Sequence, residues 1–147
     1  MPTEIIVSPV LPMTLRQFQD AACRTINPPG TNHFFHVPVS QIDGDVTPED
    51  QAAFNQRQDL IHAILGLGGE VGELMDPVKK SMFYGKPLDV ENIREEAGDL
   101  LWYIAGPLCR ALNCTLEDLA RQNVAKLKRR YPEKYTDQAA IDRADKK

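Results

Sequence analysis

Four acidic side chains in this sequence, Glu70, Glu73, Glu96 and Asp99, fall into two pairs, each spaced three residues apart. On a helix, residues three apart share a face, so each pair would aim its carboxylate oxygens in one direction. Hard divalent cations take such ligands, and Mg²⁺ usually completes its shell with water and substrate phosphate. Acids at this spacing most often mark a solvated face. Two pairs on successive helices, one in an unusual setting, tilt the balance towards a metal site.

That setting is LGLGGEVGEL, residues 65–74. Its glycines fit no phosphate-cradling loop. A Walker loop needs Gly-Lys followed by Ser or Thr, whereas Gly85-Lys86 precedes Pro87, and a dinucleotide fingerprint needs a preceding strand. What precedes is helical: Leu60, Ile64, Leu67, Val71, Leu74 and Val78 repeat at helical spacing as one apolar stripe. A glycine inside a helix costs up to ~1 kcal/mol relative to alanine, which demands a compensating gain. Gly68 and Gly72 share a face with Ile61 and Leu65 and would let a neighbouring helix approach closely. Glu70 and Glu73 flank the main stripe, with Ala63 and Gly66 one turn below, leaving room beside the carboxylates. On the next helix Ile93, Ala97, Leu100, Ile104 and Leu108 form the stripe, and Tyr103 follows Asp99 by one turn.

The elements that must position these groups are all helices. Residues 1–13 read as an extended arm. Thr14 and Gln17 have capping-box spacing and open a first helix, which Asn27-Pro-Pro-Gly30 ends. A Pro/Gly/Asp-punctuated loop follows to residue 46. It contains His33 and His36, an HxxH pair without the helical HExxH context of a zinc site. Thr47-Pro48-Glu49-Asp50 starts a long helix, expected to run to about Met75, where Pro77 kinks or ends it. Asp89 caps the next, reaching Leu112 with a bend near Pro107. Thr115 and Asp118 open the last long helix, which stops before Pro132. The tail, 137–147, is polar. The expectation is one all-α domain over residues 1–147, with a helical core at 14–136, arranged as an oligomeric bundle of four to five helices.

Composition removes several functions. The net charge is −4, which argues against the broad basic footprint of a nucleic-acid binder. Cys23, Cys109 and Cys114 are odd in number and contain no CxxC, so reduced thiols in cytoplasm are expected. The amino end lacks a basic signal-peptide region. The apolar run from Leu100 to Cys109 is too short to span a membrane.

Taken in order, GLGGEVGEL, Lys79-Lys80, REEAGDLLWY and RQNVAKLKRRYP make the chain resemble the MazG-like all-α nucleoside triphosphate pyrophosphohydrolases. Their signature is ExxE, a spacer, then ExxD. Asn123, Lys126 and Arg130 match a terminal Asn-x-x-Lys-x-x-x-Arg, and FQDAACRT resembles a first-helix pattern. The resemblance implies an oligomeric helical bundle, a homodimer or homotetramer. It implies Mg²⁺ (with Mn²⁺ as a substitute) on Glu70, Glu73, Glu96 and Asp99, and hydrolysis of a nucleoside triphosphate, often a deoxy form, to monophosphate and pyrophosphate. Lys79, Lys80, Lys126 and Arg130 are then candidate contacts to the outer phosphates, Tyr103 and Asn123 polar substrate contacts, and Gln19 a base or sugar contact. Trp102 is expected in the core. Many relatives carry a Glu-Glu pair at the first motif. Here its first member is Gly69, so the general base falls to Glu70, Glu95 or water on the metal.

Other classes fit less well. A di-iron bundle needs Glu-x-x-His, and no histidine here lies three residues after a glutamate. A phosphoribosyl-ATP pyrophosphohydrolase-like enzyme differs only in substrate. A non-catalytic helical scaffold predicts neither metal dependence nor turnover.

Overall fold

The computed structural model describes residues 12–28 and 47–146; the amino-terminal arm and the loop carrying His33 and His36 lie outside them. Within that span the chain is all-α, with no strand among the described residues. Helix α1 covers Leu15–Cys23. Its Thr14 hydroxyl accepts from the Gln17 N–H at 3.2 Å, and the Gln17 carboxamide accepts from the Thr14 N–H at 2.9 Å. Two donors that the helix leaves without partners are thereby satisfied.

Helix α2 covers Pro48–Tyr84, opened by a Thr47–Asp50 capping box with Pro48 at the first position. The expected end near Met75 is corrected: α2 continues through Pro77. A proline forfeits one ladder hydrogen bond and crowds the preceding turn, at roughly 3 kcal/mol, but it does not remove the donors on either side. Pro77 is also buried, and that packing offsets part of the cost. The helix stops at Gly85, whose φ of +63° suits the left-handed cap.

Asp89 caps α3, Val90–Tyr103. A π-helical turn at Ile104–Leu108 and a short α4, Cys109–Ala111, continue the same rod. The expected irregularity falls at Gly106-Pro107, where Pro107 has no N–H for the regular ladder. Gly106 lies close to α1: a Cβ there would sit 2.7 Å from Ile26 Cδ1, and the isoleucine side chain would have to shift. Helix α5, Leu116–Arg130, opens on the Thr115–Asp118 capping box. The tail folds as α6, Asp137–Asp142, and a 3₁₀ turn, Ala144–Lys146. Counting α3 to α4 as one rod gives five helices among the described residues. None of the described helices is long and apolar enough to cross a membrane.

Helix α2 and the α3–α4 rod run antiparallel in one register. Asp59 meets Arg110, Gly66 meets Tyr103, and Glu70 meets Asp99. Each step forward along α2 is matched by an equal step back along its partner. Small residues permit the close approach: Ala63, Ala105, Cys109 and Ala111 are buried. The Arg110 guanidinium donates to both Asp59 carboxylate oxygens, at 2.7 and 2.8 Å, and to the Asn27 carbonyl at 2.9 Å. One side chain thus ties α2, α4 and the segment after α1.

The apolar stripe of α2 is not the core of the single chain. Leu60, Ile64, Val71 and Val78 are exposed, Ile64 by 54%. The face turned towards α3 instead carries Asp59, Ala63, Gly66 and Glu70. Periodicity identifies an apolar face without saying what covers it. The close helix approach expected at Gly68 and Gly72 is likewise not made among the described residues, none of which lies within 4 Å of a Cβ at either. Trp102, expected in the core, is half-buried and donates from its indole to Thr25 Oγ1 at 2.7 Å.

Arg110→Ala should leave the Asp59 carboxylate, with its side chain 5% exposed, without its counter-ion. Breaking such a pair costs about 3 kcal/mol, measurable by urea denaturation. Adding Asp59→Asn should recover part of that loss, and strictly additive losses would show that the two side chains do not act as a pair.

Candidate functional site

Glu70, from the middle of α2, meets Glu96 and Asp99 from successive turns of α3. One carboxylate oxygen of each lies within 4.8 Å of the others. The antiparallel register puts Asp99 opposite Glu70, and helical spacing brings Glu96 one turn away on the same face. Glu96 is 7% exposed. Its Oε1 accepts from Asn92 Nδ2 at 2.7 Å, and the Asn92 backbone N–H donates to the Asp89 cap. The helix cap, the amide and the buried carboxylate form one chain of hydrogen bonds that fixes the Glu96 side chain.

Burial holds the Glu70 carboxyl above its usual range, and the charges of Glu73 and Asp99 and a hydrogen bond with Glu96 push it the same way. Like charges gathered in partly desolvated surroundings favour a shared proton or a cation. Glu73, one turn further along α2, is exposed and contributes its charge without its oxygens joining the group of three. The structure therefore gathers three of the four expected ligands and sets the fourth beside them.

Tyr103 lies at the lower edge of this group. A Cβ at residue 66 would overlap its ring, so the tyrosine rests directly on α2 backbone. The ring stands edge-to-face with His62, centroids 5.7 Å apart, and with Trp102 at 4.8 Å. Burial first, then the charges of Glu70, Asp99 and Glu73, raises the Tyr103 pKa, so its hydroxyl stays protonated and can donate. His62 Nδ1 and Gln58 Oε1, two buried polar atoms on the same α2 face as Gly66 and Glu70, have no hydrogen-bond partner among the described residues. Sequence reasoning missed Asn92, His62 and Gln58. The available signal was spacing: Asn92 precedes Glu96 by one turn, and Gln58 and His62 precede Glu70 by whole multiples of four residues.

The remaining candidates stand elsewhere. Gln19 Oε1 accepts from the Leu116 N–H at 3.0 Å, capping α5. Lys79 pairs with Asp76 at 2.7 Å, and Lys80 pairs with the same carboxylate. Asn123 and Lys126 line a separate cavity along α5. Arg130 is engaged by Asp145, at 2.7 Å for each of two hydrogen bonds. Helix α5 packs chiefly on α1 and the carboxy-terminal turn.

The family model described as the MazG nucleotide pyrophosphohydrolase domain matches residues 58–135, just over half of the chain. The match contains both acid pairs, the Asn92 support and α5, and begins after the first helix. No curated protein and no solved structure matches the chain.

Two glycines of one helix should respond oppositely to alanine. Gly66→Ala should displace Tyr103 and destabilise by about 1–3 kcal/mol, as overpacking does. Gly69→Ala meets nothing within 4 Å and should stabilise by roughly 0.5–1 kcal/mol through helix propensity. Thermal melts of both variants check this, and a neutral Gly66→Ala would remove the steric argument for Tyr103.

Proposed function

Because the chain belongs to the MazG nucleotide pyrophosphohydrolase family, we propose that it is a Mg²⁺-dependent hydrolase that converts a ribo- or deoxyribonucleoside triphosphate to its monophosphate and pyrophosphate. The observation that carries this reading is the convergence of Glu70, Glu96 and Asp99 within 4.8 Å across two helices. The donor set is all oxygen, which suits a hard cation, and the raised Glu70 pKa is the electrostatic strain such a cation would relieve. Bound there, Mg²⁺ would supply Lewis-acid polarisation of a phosphoryl oxygen and a more acidic water.

The chain's own groups do the rest of the work. Glu70, Glu96 and Asp99 hold the site, and Asn92 keeps Glu96 aimed. Glu73 is within reach to add a ligand or orient the attacking water. Because Gly69 cannot take a proton, Glu70 and Glu95 are the side chains left to serve as base. Tyr103 donates its retained proton to a phosphate oxygen. Lys79, Asn123 and Lys126 are the proposed contacts to the outer phosphates, and Gln19 the contact to base or sugar. Water attacks the α-phosphorus, the bond to the α,β-bridging oxygen breaks, and pyrophosphate leaves.

The active form is proposed to be a dimer or a dimer of dimers. Ile61 and Leu65 are exposed beside Gly68 and Gly72, Leu65 by 60%, and the Leu60, Ile64, Val71 and Val78 stripe is uncovered as well. Contiguous apolar surface on this scale is rare on a monomer. A second α2 could approach the two glycines closely.

Four measurements test the reading. Turnover in ¹⁸O-water should label the nucleoside monophosphate; label found only in pyrophosphate would move the attack to the β-phosphorus. Phosphoribosyl-ATP assayed beside the common nucleotides separates the two enzymatic substrates, and no turnover of any would leave the scaffold. Asp99→Asn should abolish activity and shrink the Mg²⁺-induced stabilisation, which for a folded-state ligand reaches about 2.7 kcal/mol at a hundred times Kd. Equal Mg²⁺ shifts in melting temperature for parent and variant would remove Asp99 as a ligand. Light scattering at micromolar concentration should report at least a dimer, and Leu65→Asp should shift it towards monomer; a monomeric parent would end the assembly proposal.

A further inference from the structure

The turn that ends α4 places two cysteines side by side. Leu112 is the C-cap of that helix, and Asn113 follows in the left-handed region at φ +49°. The Cys114 N–H donates to the Cys109 carbonyl at 3.0 Å, and the Asn113 N–H to the Arg110 carbonyl at 3.1 Å. Two such bonds around a left-handed residue make a Schellman motif, in which the side chains of the third residue before the cap and the second after it meet. Hydrocarbon side chains usually make that contact. Here both are cysteine, and their thiols are hydrogen-bonded to each other. The two differ in access: Cys109 is 0% exposed, whereas Cys114 is half-buried. Burial foremost, then the neighbouring Cys114, pushes the Cys109 thiol up to about 12, so Cys109 keeps its proton and is shielded from solvent. Cys23 is exposed on α1, one turn after the Gln19 that caps α5, and stands outside the motif. All three thiols are free.

We propose that Cys109 and Cys114 are a redox-active dithiol, closed to a disulfide by hydroperoxides that react first at Cys114. The Cys114 sulfur attacks the hydroperoxide and takes one oxygen to become a sulfenic acid, and water or an alcohol leaves. The Cys109 sulfur then attacks the Cys114 sulfur. The S–O bond breaks, and its hydroxyl leaves as water with the Cys109 proton. Two thiols are oxidised by two electrons, and one hydroperoxide is reduced. A disulfide joins Cα atoms about 4.4–6.8 Å apart, and the backbone bond from Cys114 to Cys109 already holds this stretch of chain closed.

Closing the pair adds a covalent clamp to a turn otherwise held by two backbone hydrogen bonds. At this turn the chain leaves the rod that carries Glu96 and Asp99 and enters α5, whose Thr115 cap directly follows Cys114. The clamp keeps the turn from opening and so fixes the direction in which α5 leaves the rod. Nothing in this chemistry draws on the acids or on a nucleotide.

The test is oxidation of the reduced full chain with a small excess of hydrogen peroxide, followed by alkylation and peptide mapping. The parent should lose two of its three free thiols, with Cys109 joined to Cys114 and Cys23 still alkylated. In Cys109→Ser the oxidised Cys114 has no neighbour to condense with, and dimedone should trap its sulfenic acid. Cys114→Ser should slow loss of the Cys109 thiol by about tenfold or more, since a buried, protonated thiol is inert. Cys23→Ser should form the disulfide at the parental rate. Hydrogen exchange gives a second readout: the Asn113 and Cys114 amides, donors of the two turn bonds, should exchange severalfold more slowly after oxidation, and dithiothreitol should reverse this. A disulfide through Cys23, within or between chains, overturns the pairing, as does a parent that keeps all three thiols. Undiminished loss of the Cys109 thiol in Cys114→Ser overturns Cys114 as the thiol oxidised first. Exchange at the two amides unaltered by oxidation overturns the clamp.

Discussion

Tyr103 can lie against α2 only because residue 66 has no side chain. That contact sets the distance between α2 and α3 at the level of the acids, and the rest of the site depends on it. Moving the tyrosine outward by one methyl group would draw Asp99, one turn below it, away from Glu70. The glycine costs up to ~1 kcal/mol of helix propensity, and what it secures is a phenol wedged between His62 and the carboxylates. Asp59 and Arg110 hold the same register two turns nearer the amino end of α2, with a bidentate ion pair in place of a ring on a backbone.

Folding and function pull against each other here. Packing drives two helices together, and the faces that meet carry Glu70, Glu96 and Asp99. The carboxyl raised above its usual range is the visible sign of that conflict. Asn92 and the Asp89 cap relieve part of it by hydrogen-bonding the most buried acid and its turn. A cation would relieve more. Under the proposed function, a cation bound by these acids would favour the folded state and link binding to stability.

The long apolar stripe of α2 has a second consequence. The buried apolar residues among those described are small, while Ile64, Leu65, Met75, Met82 and Phe83 stand exposed. Helices joined mainly through alanine, glycine and one ion pair pack closely but bury little hydrocarbon, and area removed from water is what stabilises a fold. An assembly that covers the stripe would supply the missing burial. It would also bring a second set of helices near each acid group, which bears directly on the helix α5 candidates that pack away from it.

The sequence by itself determined the helices and much of their grammar. Thr14, Thr47, Asp89 and Thr115 each cap the helix expected of them, because a cap is a bond between neighbours in sequence. The break at Gly106-Pro107 was legible for the same reason, and the acid pairs were legible because three-residue spacing fixes a shared face whatever lies opposite. Tertiary structure decided what spacing cannot. It chose which face of α2 meets α3, carried the helix through Pro77, and gathered three acids while leaving Glu73 to one side. It gave Gln19 to the start of α5 and Arg130 to Asp145. Each of these turns on which distant surface arrives first against a side chain, and a one-dimensional period describes only the face that is offered.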